Sequence, residues 1–260
     1  MAIRALVLRT AGTNCDVETQ FAWEKAGARA ERVHINRFIE NPKRLKDYQV
    51  LTIPGGFSYG DDIAAGKIFA NQLVHHLADM MHDFLAADRL VLGICNGFQV
   101  LVKCGLLPGQ ADGRPALAQA ATLTNNDSGK FEDRWVKLRT DTDRCAFLAK
   151  GDLLDLPVAH GEGKFISAES LPLAALEKAG QVALRYVGPD GKTGAGYPWN
   201  PNGSAGDVAG ICDPTGRILG LMPHPERHAL PWHHPQWTRR PPAPEGDGLA
   251  LFKRGVTYFK

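Results

Sequence analysis

One cysteine stands where an apolar strand pattern turns into a helical one. Residues 93–97 read Gly-Ile-Cys-Asn-Gly, which is the cysteine counterpart of the Gly-x-Ser-x-Gly nucleophile elbow. Small residues on either side permit a tight, strained turn that lifts the side chain to the strand end. The helix that follows would bring its positive dipole end to the thiol and favour the thiolate. The motif predicts a nucleophile at Cys95; the alternative is a buried apolar cysteine in a strand–helix turn.

A nucleophilic cysteine needs a base, and His224 is the best placed of the nine histidines. It follows the apolar strand pattern at 218–221, and prolines on both sides fix its backbone. Glu226 can orient the imidazole through a hydrogen bond, as the third member of a triad does. The spacing therefore predicts a triad of Cys95, His224 and Glu226, against the alternative of an exposed histidine in a proline-rich turn.

Paired glycines mark a third candidate position. Gly55 and Gly56 end the apolar strand pattern at 49–53, and glycines at a strand end allow a ligand to approach the backbone closely. The backbone N–H groups of Gly56 and Asn96 could then stabilise an oxyanion. Taken alone, the same glycines would fit a simple turn.

Two other patterns carry no site. Residues 191–193 read Gly-Lys-Thr, but position 186 is Tyr186 where a phosphate loop needs glycine, and no dinucleotide-binding Gly-x-Gly-x-x-Gly occurs. His233 and His234 near His228 could suggest a metal, but no spacing typical of a zinc site supports one. We expect this histidine group to be a solvated loop and the chain to hold no metal.

The elements that must position these residues alternate between strand and helix patterns. The helix predicted at 16–26 has Asn14 or Asp16 as its N-cap. The alternation is typical of βαβ units, so we expect an α/β fold with a mostly parallel central sheet and flanking helices. Apolar runs and helical spacing predict strands at 3–8, 31–35, 49–53, 89–94, 117–124, 135–139, 153–159, 182–187, 208–212 and 218–222, and helices at 42–47, 67–86, 98–103 and 173–178.

We expect a single domain over residues 1–260. Residues 229–246 are rich in proline and predict a long loop, and 247–260 predict a C-terminal helix. Trp232 and Trp237 in this loop could form a docking surface, because exposed tryptophans are favoured at interfaces, or they could merely cover the core.

Composition excludes several classes of protein. The 260 residues are 44% hydrophobic and 22% charged, with a formal net charge of +2, which gives no electrostatic reason to expect a nucleic-acid or membrane-surface partner. No apolar run is long enough to span a membrane. The five cysteines have irregular spacings and include no Cys-x-x-Cys pair, so we expect reduced thiols and a cytoplasmic location.

With these residues in hand, the chain resembles the class I glutamine amidotransferases, and within them the glutaminase subunits of phosphoribosylformylglycinamidine synthases. The general class is suggested by residues 93–97 together with the distant His-Pro-Glu at 224–226. The narrower resemblance covers residues 1–228 in the order of that family. The segments that carry it are 12–16, 54–61, 95–99, 126–132, 159–163, 200–204 and 222–227.

The resemblance implies a Rossmann-like (flavodoxin-like) domain with Cys95 as nucleophile, His224 as acid and base, and Glu226 as its orienter. It places Gln99 on the substrate glutamine, and Gly56 and Asn96 at the oxyanion. It implies no cofactor in this chain, with ATP and Mg²⁺ used by a partner synthetase subunit that converts formylglycinamide ribonucleotide, and a further small bridging subunit as an open question. Residues 229–260 are more like the tail of the long, fused form, so the mode of assembly stays open.

Two other functions remain possible from the residues. A cysteine peptidase or another hydrolase could use the same elbow, although segments 57–61 and 126–132 speak against it. A non-catalytic binding subunit is disfavoured because all three triad residue types are present.

Overall fold

The computed structural model describes residues 2–110 and 119–260. Within them are eleven strands: β1 (Arg4–Arg9), β2 (Arg29–His34), β3 (Val50–Ile53), β4 (Leu90–Ile94), β5 (Ala121–Thr124), β6 (Glu132–Thr140), β7 (Leu153–His160), β8 (Lys164–Ser167), β9 (Val182–Val187), β10 (Val208–Cys212) and β11 (Ile218–Leu221). The α-helices are α1 (Asp16–Lys25), α2 (Asn36–Glu40), α3 (Lys67–Ala86), α4 (Asn96–Lys103), α5 (Leu173–Lys178) and α6 (Leu249–Thr257). Short 3-10 turns lie at Pro42–Asp47, Ser58–Asp61, Ala205–Asp207, Pro225–His228, Pro231–His233 and Trp237–Arg239.

Nine strands form a central sheet in the order β2-β1-β3-β4-β11-β10-β9-β6-β7, and β5 pairs with β8 in a separate small sheet. The neighbours from β2 to β11 are all parallel, whereas every neighbouring pair from β11 to β7 is antiparallel. Among the described strands of this sheet, only β10 and β6 therefore run against the rest. The predicted α/β fold with a mostly parallel central sheet is confirmed.

The centre of the sheet is apolar on both faces. Every residue of β3 and β4 is buried, as expected of parallel strands that carry helices on both sides. The long helix α3 buries Leu73, Leu77, Met81 and Phe84, a spacing of three to four residues that forms one apolar stripe. This spacing explains why α3 buries one face in the core and exposes the other.

Three adjacent parallel strands bring the candidate residues to one edge of the sheet. Ile53 at the end of β3 pairs with Gly93, and Leu221 at the end of β11 pairs with Ile94 at the end of β4. The chain segments that leave these strands, with Cys95 among them, start side by side. Ligands of open α/β sheets bind at this carboxyl edge.

The C-terminal residues join the same core. Helix α6 lies within the predicted 247–260 and packs on α1, where the Trp23 and Phe252 rings meet edge to face with centroids 5.0 Å apart. The core runs from Ile3 to Val256. This continuity supports the proposal that residues 1–260 form a single domain. No helix of the described residues is long and apolar enough to cross a membrane.

The structure differs from the sequence predictions at several elements. Strand β8 was not predicted, because of its four residues only Phe165 is buried and the apolar signal is weak. Positions 117 and 118 of the predicted strand 117–124 lie outside the described residues. The predicted N-cap of α1 is wrong: Cys15 occupies that position, and the Asp16 carboxylate instead lies 3.4 Å from the guanidinium groups of Arg9 and Arg32.

Candidate active site

Cys95 lies on a strained turn between β4 and α4. Its φ of 51° and ψ of −107° are unusual for a residue with a side chain, and such strain is typical of functional positions. A Cβ at Gly97 would lie 1.8 Å from the Ile53 carbonyl oxygen, and one at Gly93 would lie 2.7 Å from the Gly97 carbonyl oxygen. Both glycines are therefore required for the turn. The predicted elbow geometry is present.

His224 reaches the same place from β11. Its backbone N–H donates to the Pro157 carbonyl over 2.8 Å, and its Nδ1 lies 2.6 Å from Glu226 Oε1. Both side chains are almost completely buried, and His224 Nε2 has no hydrogen-bond partner. The carboxylate thus orients the ring and leaves one nitrogen free for chemistry.

The thiol and the imidazole are neighbours across Gly55. A Cβ placed on that glycine would lie 2.8 Å from His224 Cε1 and 3.5 Å from Cys95 Cβ. Burial lowers the pKa of His224, but the Glu226 carboxylate and the Cys95 thiol outweigh it and raise that pKa well above 6.5. A protonated imidazole therefore lies beside the Cys95 thiol.

These groups open into a cavity of about 430 Å³ whose walls include Gly56, Cys95, Gln99 and His224. A cavity of this size fits a small polar ligand. A thiol, an imidazole oriented by a carboxylate and a nearby glycine-rich backbone are the groups that acyl transfer from a small amide requires.

The comparison with known proteins agrees with this chemistry. Residues 2–259 match the family model of the CobB/CobQ-like glutamine amidotransferase domain. This chain belongs to that glutamine amidotransferase family. The membership decides for an amidotransferase and against the peptidase and the non-catalytic binding subunit.

Individual proteins within this family are similar to the chain over most of its length. The chain is 45% identical to the phosphoribosylformylglycinamidine synthase subunit PurQ of Dehalococcoides mccartyi over 99% of this chain and 98% of that protein. It is 46% identical to PurQ of Treponema denticola, with 88% and 90% of the chains covered. A solved structure of PurLQS from Thermotoga maritima contains a chain that is 29% identical, with a TM-score of 0.73 and full coverage of both chains.

The amidotransferase loop after β3 holds Gly56 with a φ of 141°, a backbone that residues with side chains rarely adopt. Gly56 lines the cavity, and an oxyanion role for its N–H stays a prediction. The side chain of Asn96 is buried and bonded: its Oδ1 accepts from the Ser58 N–H at 3.2 Å, and its Nδ2 donates to Gln99 Oε1 at 2.9 Å. Only the backbone of Asn96 is therefore available for an oxyanion.

Gln99 is held by protein contacts on both ends of its amide. Its Oε1 accepts from Asn96, and its Nε2 donates to the Glu162 carbonyl oxygen over 2.7 Å. The side chain lines the cavity, yet a direct hydrogen bond to a ligand would have to share these groups. Its geometry fits a residue that shapes the cavity wall and fixes the Glu162 backbone.

Sequence reasoning missed His160, which also lines the cavity. Its Nδ1 lies 3.1 Å from Asn126 Oδ1, and its buried Nε2 has no partner. Burial, and next the neighbouring His224, lower the pKa of His160 to about 3, so the ring is neutral. With Nδ1 donating to Asn126, Nε2 is an acceptor. The available signal was a histidine at a strand end before Gly161, the kind of position that singled out His224.

Sequence reasoning also missed a second thiol. Cys15 is buried, lines the same cavity and contacts Arg227 Nη2 at 3.1 Å. The Cys15 Sγ, His224 and Glu226 donor atoms all lie within 4.8 Å of one another. Its segment, 12–16, had counted only as part of the family resemblance.

The expectation of a solvated histidine loop is wrong for two of its three members. His228 and His234 are buried and pack edge-on against the Trp135 ring, with centroids 5.0 and 4.4 Å away. His233 is exposed. Trp232 and Trp237 are 59% and 52% exposed, so a docking role for them stays a prediction.

Proposed function

We propose that this chain is the glutaminase subunit of a phosphoribosylformylglycinamidine synthase and that it hydrolyses L-glutamine to glutamate and ammonia. One observation carries the assignment of residues: His224 Nε2 is buried and unpartnered beside Cys95, while Glu226 holds Nδ1. The relatives named PurQ support the assignment of the synthase.

The first half-reaction forms a thioester. The Cys95 thiolate attacks the side-chain carboxamide carbon of glutamine, and the backbone N–H groups of Gly56 and Asn96 stabilise the oxyanion. His224 then gives the proton on Nε2 to the departing nitrogen, so that the C–N bond breaks and ammonia leaves. The high pKa of His224 supplies this proton at neutral pH.

The second half-reaction hydrolyses the thioester. Neutral His224 takes a proton from water, the hydroxide attacks the γ-glutamyl thioester carbon, and the C–S bond breaks to give glutamate and the Cys95 thiolate. The proton returns the imidazole to its charged form. Glu226 keeps the ring in the same orientation through both steps.

Glutamine is oriented by the cavity wall. The neutral His160 Nε2 accepts a hydrogen bond from one of the N–H groups of glutamine, because a buried acceptor without a partner is costly unless a ligand satisfies it. Gln99 holds the Glu162 carbonyl and so fixes the wall next to it.

The product ammonia would be protonated and lost in open water, so it passes to a partner. We propose a synthetase subunit that binds ATP, Mg²⁺ and formylglycinamide ribonucleotide, with a small bridging subunit between the two; the similar chain in PurLQS of Thermotoga maritima supports an assembly of this kind. This chain itself needs no cofactor for the two half-reactions. All five cysteines are free, which favours the cytoplasm as its location.

The deciding experiment uses the reconstituted complex. Cys95→Ala should abolish synthesis from glutamine and leave synthesis from ammonium salts intact, because only the nucleophile is lost. Cys104→Ala, which removes a buried thiol that does not line the cavity, is the matched control and should keep both activities. Glutamine-dependent synthesis that survives in Cys95→Ala would overturn the assignment.

A further inference from the structure

Two cysteines and one histidine line the same cavity around Gly55. Cys15, Cys95 and His224 all line it, and all three surround the position that a side chain on Gly55 would take. A Cβ on this glycine would lie 3.0 Å from Cys15 Sγ, 2.8 Å from His224 Cε1 and 3.5 Å from Cys95 Cβ. The two half-reactions use only Cys95 and His224, so Cys15 is left without a role in them.

We propose that Cys15 Sγ, Cys95 Sγ and His224 Nε2 form an inhibitory site for Zn²⁺, with a water molecule as the fourth ligand. Two thiolates, one imidazole and an open position are a donor set that zinc prefers. The donor atoms of Cys15 and His224 lie within 4.8 Å of each other. The Cys95 thiol donates to the Ala159 carbonyl oxygen at 3.7 Å, so the Cys95 side chain must rotate toward Cys15 before the three donors can close around an ion.

A second observation points to a ligand at this place. His224 Nε2 is buried, has no hydrogen-bond partner and belongs to a side chain that is 2% exposed. On the opposite side of the ring, Glu226 Oε1 lies 2.6 Å from Nδ1. Histidines that bind metals typically donate their other N–H to a carboxylate in this way, which fixes the ring and raises its basicity.

The Arg227 guanidinium lies against the sulfur of Cys15. Its Nη2 lies 3.1 Å from Cys15 Sγ, and a donor to sulfur favours the thiolate that zinc requires. Burial raises the pKa of the Cys15 thiol, against smaller opposing effects of His224 and Arg227. Zinc takes the place of the thiol proton, as it does at any cysteine ligand.

The bound ion would hold the nucleophile as a metal thiolate and block the acid and base at once. Inhibition is reversible, since removal of Zn²⁺ by a chelator restores the free thiols. The site shares residues with the proposed glutaminase, so the inference rests on that function for its consequence but not for the binding itself.

The test measures binding directly. The purified full chain is titrated with ZnCl₂ against a chromogenic chelator, and Cys15→Ser is compared with Cys104→Ser, whose thiol is buried but does not line the cavity. Loss of a ligand should weaken zinc affinity by roughly tenfold or more, since even an outer-shell partner is worth 10–100-fold. The Cys104→Ser control should bind zinc as the unmodified chain does.

Cadmium gives a second readout that does not depend on affinity. The thiolate-to-cadmium charge-transfer absorption should correspond to two thiolates in the unmodified chain and to one in Cys15→Ser or Cys95→Ala. Equal zinc affinity in Cys15→Ser, or a one-thiolate signal in the unmodified chain, would overturn the proposal. A chain that binds zinc through these residues but shows no glutaminase activity in its complex would instead refute the proposed function alone.

Discussion

Two pairs of buried histidines lie in different surroundings. His160 and His224 each keep a buried Nε2 without a partner and line the cavity of the candidate active site. His228 and His234 pack on Trp135 and bond to the chain around them: His228 Nδ1 lies 2.7 Å from the Asp155 carbonyl oxygen, and His234 Nδ1 accepts from the Gln236 N–H at 3.0 Å.

The difference separates histidines of the candidate active site from histidines that stabilise the fold. A buried polar atom without a partner is costly, so its persistence beside a cavity indicates that a ligand completes it. A histidine that bonds to the backbone around it and whose ring packs on a tryptophan stabilises the fold. Burial alone does not distinguish the two pairs; the unpartnered atom does.

The largest effect should come from His224. His224→Ala should lower glutamine-dependent turnover of the reconstituted complex by on the order of 10⁴, because general acid and base catalysis are both lost. The matched variant His228→Ala should keep turnover close to the original value. A comparable loss of turnover in His224→Ala and His228→Ala would contradict the difference between the two histidine pairs.

The variant Glu226→Gln tests how the carboxylate beside His224 affects the pH dependence of turnover. Glu226→Gln should lower turnover by on the order of 10² and lower the pKa of His224, since the carboxylate raises it. Turnover in the unmodified enzyme falls as pH rises through the raised pKa, because the imidazolium must protonate the departing ammonia. In Glu226→Gln this fall should occur at lower pH, as a pH–rate profile would reveal; an unmoved profile would show that Glu226 does not set the pKa.

His160 should affect binding more than chemistry. His160→Asn should raise KM for glutamine by roughly tenfold, the value of one buried hydrogen bond, with a smaller change in kcat. Steady-state kinetics of the complex with varied glutamine separates the two constants. A loss confined to kcat would place His160 with the reacting groups instead.

The lowered pKa of His160 should also make the stability of the fold depend on pH. Its folded value of about 3 lies below the ordinary 6.5, so the neutral ring stabilises the fold above pH 6.5, and this contribution is lost as pH falls toward 3. This one group changes the free energy of unfolding by at most about 1.4 kcal/mol per pH unit. The free energy of unfolding, measured by urea denaturation at several pH values between 3 and 6.5, should change less steeply with pH for His160→Asn than for the unmodified chain. An equal pH dependence in the two proteins would contradict the lowered pKa of His160.

The smallest functional effect should come from His234. His234→Ala should lower the free energy of unfolding by about 1–3 kcal/mol, since it removes buried packing on Trp135, and leave KM and kcat for glutamine unchanged. Chemical denaturation and the same kinetic assay check both parts. A change in kinetics without a change in stability would mean that this pair also serves the reaction.

Much of the site was open to sequence reasoning because short-range rules specify it. The two glycines of the Gly-Ile-Cys-Asn-Gly segment permit a tight turn, and His224 with Glu226 two residues on carries its own orienting partner. Parallel strands with continuous apolar runs then placed Cys95 and His224 at one edge.

Other residues depended on contacts that no local pattern encodes. His160 comes from β7, which is last in the sheet order, yet it meets the cavity because the His224 backbone bonds to Pro157 in the same strand. Cys15 had entered only through the family resemblance of segment 12–16, and its place beside the cavity involves Arg227, more than two hundred residues away.

The sequence by itself determined the fold class, the elbow and the residues of the proposed triad, because periodicity, glycine sterics and the spacing of an acid from its base act within a few residues. Only the tertiary structure decided which buried histidines lack partners and that a second thiol faces the imidazole. Those facts arise where chain segments distant in sequence pack against each other, and the packing of the whole core sets their distances.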